Sequence, residues 1–308
     1  MPAPRSGAMR PPRRNRDVQV QCEPVERLDL TGRRVVVVGG TNGLGRAIAA
    51  EALGRGASVT VVGRTFRDAP SDRLSFVQAD LTTMRGAVAV GQKLPVEDCE
   101  ILLFTNGIFA AKQREVTAEG VERDLAVSYL SRLAMLRELS GRLGSARADD
   151  SIQPRVFVMG SPGWGEVGTV DDLNSERHYG AMRAHGNTLA GNEALVIAGQ
   201  GRFPGLAFFG LAPGVIRTGI RANVLGEGSA THRVVEALIG LLAPSARSYA
   251  RHMVPLLFTP SLQGRSGDLF GRKGTPIRPS RGFDLKYAQR FLAESEALLD
   301  RALATHRD

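Results

Sequence analysis

With 308 residues, 43% of them hydrophobic and 23% charged, the chain has the size of one large α/β domain or two small ones and the balance of a soluble globular protein. Its aliphatic runs, such as Val35 to Val38, fall far short of the roughly 20 apolar residues of a membrane span, and its Pro- and Arg-rich start offers no apolar secretory core. The formal charge of +9 is gathered partly in Arg5, Arg10, Arg13, Arg14 and Arg16, with no motif of base-stacking aromatics, so neither a membrane nor a nucleic acid is expected as a partner.

Residues 1–27 combine Pro and Arg without periodicity and are expected to form a disordered or loosely tethered basic arm. From Gly32 onward, short β-branched runs alternate with helical stretches, the signature of a doubly wound parallel sheet between two helical layers. The pattern predicts strands at 34–38, 58–63, 74–78, 101–105, 155–159, 205–210 and 266–269. Helices are predicted at 43–53, 82–92, 117–143 and 175–199, with a pair between 226 and 257. A final amphipathic helix spans 285–304; its apolar stripe of Leu285, Ala288, Leu292, Leu299 and Leu303 is interrupted only by Ser295 and predicts packing against the body. Nothing divides residues 28–308, so one Rossmann-type αβα domain is expected. Cys22 and Cys99 cannot build a disulfide framework and suit a reducing cytoplasm. No metal site is expected.

The strongest local signal is the run from Val35 to Arg46, VVVVGGTNGLGR, in which a strand turns into a helix. Gly39, Gly43 and Gly45 let the backbone approach a pyrophosphate, and the helix opening near Gly43 aims free N–H groups and its positive dipole end at the phosphates. Thr41, Asn42 and Leu44 fill the turn. At the end of the second strand, an acidic residue would hold ribose hydroxyls, whereas an arginine pairs with a 2′-phosphate. Arg64 stands there, with Arg46 as its expected partner in a cationic pocket, which favours NADP(H) over NAD(H).

The Gly-x-x-x-Gly-x-Gly spacing resembles the short-chain dehydrogenase/reductase family, and the resemblance runs from about Gly32 to Phe270. It implies that Asp80 and Leu81 meet the adenine and that Thr105, Asn106 and Gly107 stand where the family carries Asn-Asn-Ala-Gly. It also implies a nicotinamide loop at Pro213 and Gly214, with Ile216 at the carboxamide and Thr218 toward the diphosphate.

Carbonyl chemistry needs a proton donor at the carbonyl oxygen. The family uses Tyr-x-x-x-Lys with a serine and an asparagine; this chain has no Tyr-x-x-x-Lys. Ser161, after the fifth strand, matches the serine and is expected to hydrogen-bond a substrate oxygen, or else is a strand-end turn residue. Ser128 stands at the asparagine position. The segment from Asp171 to Glu176, DDLNSE, is similar to retinol-dehydrogenase-like members, and carrying that alignment forward puts His185 at the tyrosine position and Leu189 at the lysine position. An imidazole donates a proton near neutral pH without the lysine that a phenol needs. Either His185 is the proton donor, together with Asn187 and Asn192 as a new polar set, or it is a polar residue without a chemical role. A third possibility pairs Tyr179 with Arg183, which i, i+4 spacing would put on one helical face.

The resulting expectation is a cytoplasmic NADP(H)-dependent reductase or dehydrogenase of small carbonyls or alcohols, with Trp164 and residues 219–231 near the substrate. The alternatives are non-redox isomerase, cyclase or dehydratase chemistry on the same fold, or a non-catalytic dinucleotide-binding protein. The resemblance further implies a homodimer or homotetramer, with Leu130, Leu133, Leu136 and Leu139 as candidate interface residues or as sheet packing.

Overall fold

A computed structural model describes residues 11–69, 71–147, 152–214 and 245–305. The strands are β1 (Arg34–Val38), β2 (Ser58–Gly63), β3 (Leu74–Gln78), β4 (Ile101–Phe104), β5 (Arg155–Met159), β6 (Ala207–Ala212), β7 (Asp268–Gly271) and β8 (Pro276–Ile277). They form one sheet in the order β3-β2-β1-β4-β5-β6-β7-β8, parallel throughout except for the antiparallel β7–β8 pair. The helices are α1 (Gly43–Gly54), α2 (Met84–Lys93), α3 (Arg123–Leu125), α4 (Ser131–Leu139), α5 (Ala181–Arg202), α6 (Ala246–Phe258) and α7 (Leu285–Ala304). A π-helical segment, Ala126–Leu130, joins α3 to α4.

Both faces of the sheet are covered, which is why β1 reads as an unbroken run of valines rather than an alternation. Val36 and Val38 enter the core that contains α2, α4, α5 and α7; Val35 and Val37 enter the opposite core with α1 and α6. Strand order reverses between β1 and β4, opening a crevice at their carboxyl ends, the place where ligands sit in open α/β sheets.

Several expectations are corrected. Residues 11–27 are not loosely tethered: Arg14 bridges Ile277 beside β8, Arg278 N–H donates to the Arg13 carbonyl, and Thr259 Oγ1 donates to the Gln21 carbonyl at 2.5 Å. The unmet backbone groups of the short β8 edge supply what the arm's periodicity lacks. The helix predicted from residue 175 starts only at Ala181, because the Asp172 carboxylate accepts N–H bonds from Glu176, Arg177 and His178 and holds that stretch in a loop. The single helix predicted at 117–143 is shorter, a continuous helical run over 123–139 made of α3, the π segment and α4. Of the pair predicted between 226 and 257, the second corresponds to α6 and the first lies outside the described residues.

Leu130, Leu133, Leu136 and Leu139 are all fully buried within the chain, so they pack internally and leave any oligomer to another face. The outer side of α5 is covered by α7, as its apolar stripe predicts. Ser295, the polar break in that stripe, accepts a 2.8 Å hydrogen bond from the Tyr129 hydroxyl and donates to the Phe291 carbonyl at 2.7 Å. No helix among the described residues is long and apolar enough to cross a membrane, and no cluster of three or more His, Cys, Asp or Glu among them is placed to hold a metal.

Candidate active site

The turn from β1 into α1 brings Gly39, Thr41, Asn42, Gly43, Leu44 and Gly45 to the mouth of the crevice. Gly39 has φ 84°, and a Cβ there would lie 2.5 Å from the Asn106 amide nitrogen; a Cβ on Gly45 would lie 2.3 Å from Thr105 Oγ1. Side chains at these two points would part β1 from β4 and close the cradle. Asn42 caps α1 by accepting from Gly43 N–H at 2.8 Å, while the next N–H groups of the first turn point along the helix dipole into the crevice.

Arg64 follows β2, exposed, with no carboxylate partner among the described residues. Its expected companion Arg46 is engaged elsewhere: Arg46 Nε donates to Asp68 at 2.8 Å in a forked pair, and that hydrogen bond holds the Asp68 carboxyl below its usual range. Of the two arginines expected to form a cationic pocket, Arg64 alone has no carboxylate partner among the described residues. Asp80 is exposed after β3 and accepts from Thr82 N–H at 3.0 Å, with Leu81 buried beside it. Thr105 Oγ1 ties β4 to the Val38 carbonyl at 2.9 Å. Asn106 donates to the Val127 carbonyl at 2.6 Å, while its Oδ1 is buried with no partner among the described residues. Pro213 and Gly214 leave β6 as expected, with Gly214 at φ 68°. Ile216, Thr218 and residues 219–231 lie outside the described residues.

Beyond the cradle, Ser161 follows β5 with φ 52°, a left-handed conformation uncommon for a side-chain-bearing residue. Among the described residues its hydroxyl has no hydrogen-bond partner.

His185, in the first turns of α5, is the centre of the polar network. Its Nδ1 lies 2.7 Å from Asp124 Oδ2, and its ring packs on Phe109 with centroids 4.5 Å apart. Asp124, fully buried on α3, also accepts from Ser128 Oγ at 2.7 Å, and Ser128 Oγ in turn accepts from Ile108 N–H at 2.9 Å. Ser128 thus orients Asp124, and Asp124 orients His185. Against a carboxylate, Nδ1 carries the proton of the neutral imidazole and Nε2 is left as the free edge. Phe109 and Asp124, with Ile108, Ala111, Glu115 and Arg123, line a small cavity of about 110 Å³. Glu166, half-buried across from Gly186, has its carboxyl pushed up by burial against an opposing pull from His185.

The other members of the expected polar set do not join His185. Asn187 donates to the Asp172 and Leu173 carbonyls, each at 3.0 Å, and so fastens the loop before α5. Asn192 donates to the Ser128 carbonyl at 3.0 Å and accepts from Arg132 at 2.8 Å. Leu189 is buried in the core. Tyr179 precedes α5 and cannot share a helical face with Arg183; its hydroxyl donates to the Ala111 carbonyl at 2.5 Å. Burial and the nearby Glu122, Asp124 and Glu115 push that phenol up to about 12, which makes it a reluctant proton donor.

Asp124 and Arg132 are the residues that motif reasoning passes over. Asp124 carries one signal, its position four residues before Ser128 in a helical stretch. Arg132, fully buried, donates to the Asn106 carbonyl at the end of β4 and to the Met159 carbonyl at the end of β5, the latter at 2.7 Å. Burial lowers it to about 9, so it stays cationic at neutral pH.

An uncharacterized oxidoreductase of Saccharomyces cerevisiae is 43% identical over 280 residues, covering 90% of this chain and 91% of that protein. The chain belongs to the short-chain dehydrogenase/reductase family. Retinol dehydrogenase 14 of Mus musculus, 26% identical over 271 residues and matched over 78% of each chain, lies on the side of the family that the segment from Asp171 to Glu176 resembles. A solved structure from Burkholderia multivorans with bound NADP shares the fold, with a TM-score of 0.54, 22% identity and coverage of 80% of this chain and 99% of that one. No protein-family model matches the chain. The family implies a nicotinamide dinucleotide, and the cradle at Gly39 and Gly45, which any Cβ would fill, fits one.

Proposed function

We propose that the chain is an NADP(H)-dependent oxidoreductase of small carbonyl or alcohol substrates, with Ser161 orienting the substrate oxygen and His185 giving or taking the proton. The observation that carries this reading is the 2.7 Å contact from His185 Nδ1 to the buried Asp124 carboxylate. It holds one ring nitrogen and leaves the other free, the arrangement a general acid or base requires. The β1–α1 turn and the Asp80, Asn106 and Pro213-Gly214 segments would hold the dinucleotide, and unpaired Arg64 favours a 2′-phosphate. The NADP bound in the Burkholderia multivorans structure supports the same preference. When bound, the dinucleotide supplies or accepts the electron pair.

The chain's own residues do the rest. Ser161 offers a hydroxyl to the substrate oxygen, Phe109 keeps one face of the imidazole dry, and Asp124 stabilises the imidazolium that forms when His185 holds an extra proton. Neither Tyr179 nor Leu189 takes part.

The test is cofactor absorbance with a panel of aldehydes and ketones. NADPH consumption faster than NADH consumption is expected, and His185→Ala should lower kcat by about 10²- to 10⁴-fold with NADPH binding retained. Turnover that survives His185→Ala but is lost in Tyr179→Phe would overturn the assignment of the proton donor. NADPH binding without turnover across the panel would move the chain to non-redox chemistry on the same fold.

A further inference from the structure

Glu193 is buried on α5, two helical turns beyond His185, and no motif draws attention to it. Its carboxylate accepts three hydrogen bonds: from Gly163 N–H at 2.9 Å, from Ser280 N–H at 2.7 Å and from Ser280 Oγ at 2.8 Å. Ser280 Oγ accepts in turn from Gly165 N–H at 3.0 Å. Two amides of the loop after β5 are thereby fixed, one directly and one through Ser280. That loop begins with Ser161 in its left-handed conformation and contains Trp164, the chain's single tryptophan.

We propose that Glu193 is a positioning residue for the substrate loop: its carboxylate pins the segment carrying Ser161 and Trp164 to the helix that carries His185. The two side chains assigned to the substrate oxygen then share one reference frame. Three donors converge on this carboxylate. An amide brings a donor of its own against them, and a protonated acid keeps all three contacts only if the Ser280 hydroxyl turns from donor to acceptor, so either neutral form changes the arrangement that ties Gly163 and Gly165 to α5.

The groups facing Glu193 are the two amides and the Ser280 hydroxyl; among the described residues no cation pairs with it. The titratable side chains on the elements around it are engaged elsewhere. Glu166 interacts with His185, Arg278 pairs with Asp17 at 2.8 Å, and the Tyr287 hydroxyl donates to the Val167 carbonyl at 2.8 Å. With only neutral donors to oppose it, burial raises the Glu193 carboxyl above the ordinary glutamate value.

The role given to Ser161 rests on the oxidoreductase reading; the pinning of the loop does not, and the decisive measurement uses no substrate. Trp164 fluorescence in the full-length protein is followed against pH. A transition is expected above the ordinary glutamate value of about 4.3, absent in Glu193→Gln and retained in Glu166→Gln. Ser280→Ala keeps the carboxylate and the Ser280 amide but removes one bond to the charged form, so it should move the midpoint upward; this variant carries the test if Glu193→Gln does not fold. A transition that persists in Glu193→Gln, vanishes in Glu166→Gln, or does not move in Ser280→Ala overturns the proposal. Once a substrate is found, Glu193→Gln should lower kcat on the order of ten- to a hundredfold with cofactor affinity unchanged. A failed substrate panel with the expected fluorescence leaves the pinned loop standing without the oxidoreductase reading; the reverse result removes the positioning role alone.

Discussion

Single side chains divide the labour at this crevice by what each has been paired with. Arg46 is held by Asp68, Tyr179 by the Ala111 carbonyl and Asn187 by the Asp172 loop, whereas Arg64 and Ser161 have no such partners among the described residues. Arg64→Ala is therefore expected to weaken NADPH binding by about tenfold or more and leave NADH binding unchanged, since only the former loses a charge-assisted bond. Titration calorimetry with both cofactors checks it; equal losses for the two, or no loss for either, would deny that Arg64 meets a 2′-phosphate. Glu193 makes a prediction with a definite sign. Its folded-state pKa is raised, so its contribution to stability is fully present below about 4.3 and is lost as pH rises through the folded value. The thermal midpoint of the wild type relative to Glu193→Gln should decline across that window; parallel curves would contradict the raised pKa. The glycine cradle, Arg64 and Ser161 are legible in the sequence because each is a local motif at a strand end. Asp124 is not, because it meets His185 across a sequence separation of 61, and only the packing of α3 against α5 joins them.

At the scale of elements, α7 and the π-helical segment depend on each other. The π segment carries Tyr129, fully buried in the core, where its hydroxyl needs a partner, and Ser295 of α7 is that partner. Ser295→Ala should cost about 1–3 kcal/mol by leaving a buried hydroxyl unmet, and adding Tyr129→Phe should recover much of the loss. Urea unfolding of the single and double variants measures the coupling, and additive losses would deny it. Periodicity alone finds α7 but misreads the role of Ser295, which looks like a flaw in the stripe and is a fastening point. The start of α5 is misread for a related reason. The stretch from Ser175 to Gly180 has no strong breaker, and Asp172 stops the helix through side-chain bonds to three amides.

Across the whole molecule, the two cysteines report how the body is closed. Cys99 lies in the core, its thiol pushed up to about 12 by burial, while Cys22 is exposed on the arm. A thiol reagent should modify one cysteine in the native protein and the second only at the rate of unfolding; rapid modification of both would contradict the packing around β4. The doubly wound sheet, its crevice and the glycine turn at the crevice mouth were legible in the amino-acid order alone. Those features follow from valine runs, glycine spacing and strand-to-helix turns within short stretches of chain. Which polar residues meet was set by long-range packing: Asp124 with His185, Arg132 with the ends of β4 and β5, Glu193 with Gly163 and Ser280, and the arm with β8. Each of these contacts joins residues distant in sequence, and their bonds form only after the hydrophobic layers have brought the elements together. No local spacing could have encoded them.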